Sequence, residues 1–206
     1  MKKQVVIIHG GDSYNTYKKY LSDLKSEKVD IERYFARRWK NELPRQLGKS
    51  FEIIAPRMPN AENARYLEWK LWFEKFIPFM RNGVILIGTS MGGAFLAKYL
   101  SENKFSKKIG ATLFVSAPYF SGGMHYKDYE TPKDWILPKS LSKIEKQGGK
   151  IFFYQNTDDE LVPFRDLKRY AKVLPTATRR VFKGRGHSFG AKFPEIVRDI
   201  KEVLKK

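Results

Sequence analysis

Cysteine is absent from the 206 residues, which excludes disulfides, thiolate metal sites and a cysteine nucleophile. No apolar run approaches the ~20 residues needed to span a bilayer. The start, Met1-Lys2-Lys3-Gln4-Val5, enters only a short apolar run before His9-Gly10-Gly11. That run is too short for a signal-peptide core and suits a first strand, so a cytoplasmic location is expected. There is no internal repeat, low-complexity tract or linker, and residues 1–206 read as one domain. Acidic residues are the scarce charge: 22 Asp+Glu stand against 40 Lys+Arg, giving a formal net charge of +18. The excess divides evenly between residues 1–138 and 139–206, and its longest strings are pairs such as Lys18-Lys19 and Arg179-Arg180. A nucleic-acid surface is expected to cluster its charge, so no specific nucleic-acid partner is expected.

Short apolar, β-branched runs recur along the chain. They are Val5–Ile8, Phe51–Ala55, Val84–Ile87, Ala111–Val115 and Ile151–Tyr154, with a weaker sixth at Arg179–Phe182. Runs apolar on both sides suit a parallel sheet covered on both faces. Helical patterns lie between them at Tyr17–Leu24, Ile31–Leu47, Asn63–Met80, Met91–Glu102, Phe164–Leu174 and Phe193–Leu204. Strand–helix alternation predicts right-handed βαβ units and a three-layer α/β fold around a doubly wound, mostly parallel sheet of about six strands. Residues 119–149 interrupt the alternation and follow the fourth strand, on the ligand-binding side of such sheets. Two readings stay open for them: a lid-like insertion over the site, or a surface excursion packed by its own aromatics.

Gly88-Thr89-Ser90-Met91-Gly92 stands between the third strand and the third crossover helix. A G-x-S-x-G in that context is the nucleophile elbow of the α/β-hydrolase fold. The turn is tight enough to require very small neighbours at 88 and 92, and it lifts the serine hydroxyl above the sheet edge. A serine hydroxyl needs a base, and the order in this fold is Ser, then Asp or Glu, then His. His187, in Gly184-Arg185-Gly186-His187-Ser188 after the sixth strand, is the expected base; His125, inside 119–149, is the weaker alternative. The acid should follow the fifth strand, where Asp158, Asp159 and Glu160 compete. Asp159-x-x-Val162-Pro163 resembles the D-x-x-V-P of many α/β-hydrolases and makes Asp159 the candidate. Asp158 is then read as a turn or capping residue and Glu160 as solvated. The oxyanion donors are expected to be the N–H groups of Met91 and of Gly11, with Gly10 as the alternative to Gly11. His9 precedes the serine and is expected to shape the loop.

With these residues in place, the chain resembles the small serine hydrolases of the retinoblastoma-binding protein 9 type. The resemblance runs through His9-Gly10, Trp39-x-x-x-Leu43, Leu47-Gly48, Pro56-x-Met58-Pro59-Asn60, Trp69, the Ser90 elbow, Asp158-Asp159 with Pro163, and Gly186-His187. Two departures are Thr89, where histidine is common, and a first crossover, Asp12 to Arg38, that looks long. The resemblance implies a Ser-Asp-His hydrolase of esterase-like or amidase-like activity on a small acyl substrate, with no metal or cofactor. Ester cleavage ranks ahead of amide cleavage. The alternatives are a hydrolase-fold protein that binds an acidic partner or nucleic acid, and an acyltransferase using the same triad. Gly10, Met124, Tyr126, Trp135 and Phe189 are candidate substrate contacts, because apolar linings are the norm for small-molecule sites.

Overall fold

In the computed structural model, residues 1–126 and 129–205 are described, without the side chains of Arg33 and Tyr126. Six strands form one sheet: β1 (Lys3–Ile8), β2 (Phe51–Ile54), β3 (Val84–Thr89), β4 (Ile109–Val115), β7 (Lys150–Asn156) and β8 (Thr178–Phe182). Their order is β2-β1-β3-β4-β7-β8 and every pairing is parallel. Two very short strands, β5 (Met124–Tyr126) and β6 (Tyr129–Glu130), pair as a separate antiparallel hairpin.

Side chains alternate along each strand and feed two cores. Val6, Ile8, Leu86, Phe114 and Phe153 point to one face. Val5, Ile7, Ile85, Ile87, Leu113 and Tyr154 point to the other. This period of two, with both faces covered, is why the strands read as unbroken apolar runs. Helices α4 (Tyr66–Glu74), α5 (Met91–Glu102), α6 (Ser142–Gln147) and α7 (Arg165–Val173) supply the first core. Helices α3 (Trp39–Leu47) and α8 (Pro194–Val203) supply the second through Trp39, Leu43, Leu47, Ile196 and Ile200.

Two helical expectations change. Residues 31–47 are not continuous: α2 (Glu32–Phe35) ends before α3, and the chain is extended at Ala36 and Arg38. Residues 63–80 reduce to α4 flanked by 3₁₀ turns. Pro78 lies in the second of these turns, where its missing N–H prevents helix from continuing. Helix α1 (Tyr17–Ser26) buries none of its residues; the side chain of Thr16 caps it, accepting from the Lys19 N–H. The segment 119–149 is divided between the hairpin, a buried stretch around Trp135 and the crossover helix α6, which packs on α5. Only its first part stands over the strand ends.

Candidate active site

The strand order reverses between β1 and β3, since the chain leaves β1 toward β2 on one side and returns through β3 on the other. Ligands bind at such a switch point, beyond the carboxyl ends of the strands. The loop Gly10-Gly11 and the turn at Ser90 meet there. A Cβ placed on Gly10 would lie 3.1 Å from Ser90 Cβ. Ser90 itself sits at φ 53°, ψ −125°, a backbone region that non-glycine residues rarely adopt. Its N–H bonds Val115 O at 2.8 Å, and its carbonyl accepts from Gly93 at 2.8 Å. The glycines around it are sterically obligatory. A Cβ on Gly88 would come within 2.4 Å of Gly92 O, and one on Gly92 within 2.3 Å of Ile8 O. The elbow is therefore wedged between its own helix and β1. The N–H of Met91, at the first position of α5, has no intrahelical acceptor.

Asp159 follows β7 and is buried. Its Oδ1 accepts the N–H groups of Leu161 (3.0 Å) and Val162 (2.8 Å). Its Oδ2 accepts Ser116 Oγ (2.7 Å) and Gln155 Nε2 (3.0 Å). His187 Nδ1 stands 3.0 Å from both oxygens. Burial pushes the Asp159 carboxyl up. The His187 hydrogen bond and charge, the Val162 N–H and the Ser116 hydroxyl outweigh it and hold the group below its ordinary value. A carboxylate gripped in this way orients the imidazole and leaves Nε2 as the nitrogen free to meet a serine. Among the described residues, no hydrogen bond joins the His187 ring to Ser90.

The three neighbouring acids divide their work. Asp158 accepts the Gly184 N–H through both oxygens, at 2.9 and 3.0 Å, and fixes the turn before His187. Glu160, expected to be merely solvated, accepts the His187 N–H at 3.1 Å. Asn156 donates to Gly186 O at 2.6 Å. Ser116 and Gln155 carry no motif and were not anticipated from the sequence. The only signal was their place at or just beyond the ends of β4 and β7. His9 shapes its loop: Nδ1 lies 2.6 Å from Gly10 O, and Nε2 accepts the Met58 N–H at 2.8 Å.

A cavity of about 230 Å³ opens over Ser90, bounded by Gly11, Met91, Pro118, Phe120, Leu161 and Val162, with Asp12, His125, Tyr129 and Glu160 as its other polar walls. Two expected substrate contacts are corrected. Trp135 is fully buried, edge-on to Trp69 at 5.3 Å, with its Nε1 donating to Ala64 O. Phe189 is buried on the opposite face of the sheet, stacked on Phe193 at 4.4 Å. Both are core residues because their elements pack them away from the strand ends. Met124 is 60% exposed and does not line the cavity, and the Tyr126 side chain lies outside the described residues. A larger groove of about 700 Å³ runs along α3 and α8 and is rich in Arg and Lys, but no residue of this site lines it. Among the described residues, no group of three or more His, Asp or Glu is gathered as a metal site, and no helix is long and apolar enough to cross a membrane.

No protein-family model matches the chain, and no curated protein matches it in sequence. Solved structures do match in shape. The ydeN gene product of B. subtilis is 18% identical, with all of both chains covered and a TM-score of 0.77. A YdeN-like hydrolase of Pectobacterium atrosepticum is 16% identical over 98% of this chain and 91% of its own, with a TM-score of 0.65. A bromoperoxidase of Bacillus anthracis is 15% identical over 100% and 93%, with a TM-score of 0.63. The chain has the α/β-hydrolase fold.

Proposed function

We propose that this chain is a single-domain, cytoplasmic serine hydrolase that cleaves a small ester, thioester or amide, in the manner of the retinoblastoma-binding protein 9 type. The observation that carries the reading is Ser90. A non-glycine residue is held at φ 53° on the tip of the β3–α5 turn, facing a cavity, while a buried Asp159, paired with a half-buried His187, stands beyond the neighbouring strands. Strain of that kind costs about 1–3 kcal/mol and persists where the surroundings impose it, most often at active sites.

In this mechanism His187 Nε2 takes the proton of Ser90 Oγ as the oxygen bonds the substrate carbonyl carbon. The contact tightens when substrate enters, as catalytic hydrogen bonds commonly do. The N–H groups of Met91 and Gly11 receive the oxyanion. Collapse breaks the bond to the leaving group, which takes the proton from His187. Water, deprotonated by His187, then attacks the acyl-enzyme and frees the acid and Ser90. Asp159 stays ionised throughout and stabilises the imidazolium. Nothing in these steps calls on a metal or cofactor. The test is labelling of the folded protein with a fluorophosphonate, followed by peptide mapping. Modification confined to Ser90 is expected; an unmodified Ser90 overturns the reading.

A further inference from the structure

We infer that residues 29–35 and the basic groove along α3 and α8 form one surface that docks on an anionic phospholipid membrane. The inference goes beyond the hydrolase reading and does not depend on it.

Val29, Ile31, Tyr34 and Phe35 are 78%, 60%, 77% and 80% exposed. Surface apolar residues scattered singly need no explanation, but four within seven residues mark an interaction site. The chain that carries them is short and anchored. Helix α2 is a single turn, and the backbone is extended at Ala36 and Arg38. Trp39 then enters the second core, edge-on to Phe193 at 5.3 Å, and its N–H bonds Gly190 O at 2.9 Å. The exposed segment is thus tied to the loop that continues as Ala191 and Lys192, which line the groove. Arg37 lines it too, two residues after Phe35, so their Cα atoms lie within about 7 Å.

Six cations line the groove: Arg37, Arg45, Lys192, Arg198, Lys201 and Lys205. Two acids face them, Glu42 and Glu202. Arg45 pairs with Glu42 at 2.8 Å, Lys201 donates to Gln46 O at 2.9 Å, and Arg198 stands 3.7 Å from Asp199. Arg37, Lys192 and Lys205 have no hydrogen bond or ion pair among the described residues. Between the cations the wall is Ala191, Phe193, Pro194 and Val197. An apolar floor under a rim of long basic side chains suits a phospholipid: the phosphate takes the cations and the acyl chain takes the floor. Val29 and Ile31 argue against nucleic acid, since aliphatic side chains offer no face for base stacking, and Phe193 already stacks on Phe189. A second copy is disfavoured because each chain carries +18. An anionic bilayer attracts the cations and takes the four apolar side chains out of water.

The experiment is cosedimentation of the whole chain with vesicles of phosphatidylcholine alone, or with about a third phosphatidylglycerol, at about 0.15 M salt. Retention on the anionic vesicles alone is expected. Arg37→Gln/Lys192→Gln/Lys205→Gln should weaken it about a hundredfold, each cation counting about fivefold. Ile31→Ser/Phe35→Ser should weaken it about tenfold or more. Both variants alter exposed side chains, and unchanged thermal midpoints verify folding. Because the chain has no cysteine, Ile31→Cys carries a single environment-sensitive fluorophore. Its emission should shift to the blue on anionic vesicles, and the same label at Lys104→Cys, beyond α5 in the opposite layer, should not. No retention, equal retention on phosphatidylcholine, retention that survives either set of substitutions, or an unmoved Ile31 label overturns the inference. So does a dimer, or a complex with a single-stranded oligonucleotide, that Ile31→Ser/Phe35→Ser abolishes. None of these outcomes bears on Ser90.

Discussion

Ser116 Oγ donates to Asp159 Oδ2 at 2.7 Å from a backbone held at φ 46°. The residue follows β4 directly, and its N–H is anchored to Tyr154 O at 2.9 Å. One strand end thus steers a carboxylate that belongs to the next. With Gln155 and two backbone N–H groups, Ser116 leaves Asp159 little freedom to turn from His187. Hydrogen bonds to charged groups are worth about 1.5–3 kcal/mol. Ser116→Ala is therefore expected to lower kcat/KM about tenfold and to move the acid limb of the rate profile upward, since the ionised form loses a donor. Pre-steady-state and pH–rate measurements check both.

The Asp159 carboxyl is held below its ordinary value in the folded chain. Its contribution to stability is therefore present above the ordinary carboxylate range and lost as pH falls through the folded value. Urea midpoints of wild type and Asp159→Asn should differ more at pH 6 than at pH 3. A gap that does not close on acidification contradicts the sign. Turnover of Asp159→Asn should fall about 10³–10⁴-fold, since the imidazole loses its tautomer.

Ser90 separates catalysis from strain. Ser90→Ala removes the proposed nucleophile but keeps a Cβ at positive φ, so hydrolysis should collapse by about 10⁴-fold or more with little change in stability. Ser90→Gly removes the same hydroxyl and also relaxes the backbone. It should be more stable than Ser90→Ala by about 1 kcal/mol. Paired denaturation curves make the comparison.

The glycines of the site should answer differently to alanine. In Gly92→Ala the methyl meets backbone oxygen of β1 at 2.3 Å, and in Gly11→Ala it meets Ala61 O at 2.4 Å. Neither neighbour can swing aside, so each should cost about 3 kcal/mol or more. In Gly10→Ala the methyl meets Ser90 Cβ at 3.1 Å and Oγ at 3.6 Å. That variant should fold and lose activity, which thermal melts beside an ester assay would reveal.

A control lies away from the site. Asp199 is fully buried on α8, accepts Nε and Nη2 of Arg180 at 3.1 and 2.9 Å, and takes the Tyr154 hydroxyl at 2.8 Å. Asp199→Ala strands that hydroxyl and half-strands the arginine, for a cost of about 3 kcal/mol. Ester turnover per folded molecule should not change.

The fold was legible because its signals are local. Each strand announced itself as a short run that must be apolar on both sides, and α5 matched its expected span at Met91–Glu102 because a tight turn sets its start. The glycines at 88 and 92 were legible for the same reason. Helix continuity across 31–47 and 63–80 was not, because amphipathic spacing alone does not reveal where tertiary packing stops rewarding helix. Trp135 and Phe189 were misplaced for a related reason: an aromatic side chain looks alike in sequence whether it faces a cavity or a core.

By itself the sequence determined the strand–helix alternation, the Ser90 turn, and the order in which Asp159 and His187 follow it. Tertiary structure alone decided which side chains surround them. Ser116 reaches Asp159, and Glu160 reaches His187, only because parallel register brings the ends of β4, β7 and β8 side by side. His125 of the hairpin and Asp166 of α7, 41 residues apart, meet side by side. Such contacts depend on strand order and register, quantities no local pattern encodes. The tight turn at Ser90 was therefore written in five consecutive residues, while the wall it faces was assembled from five separate segments of the chain.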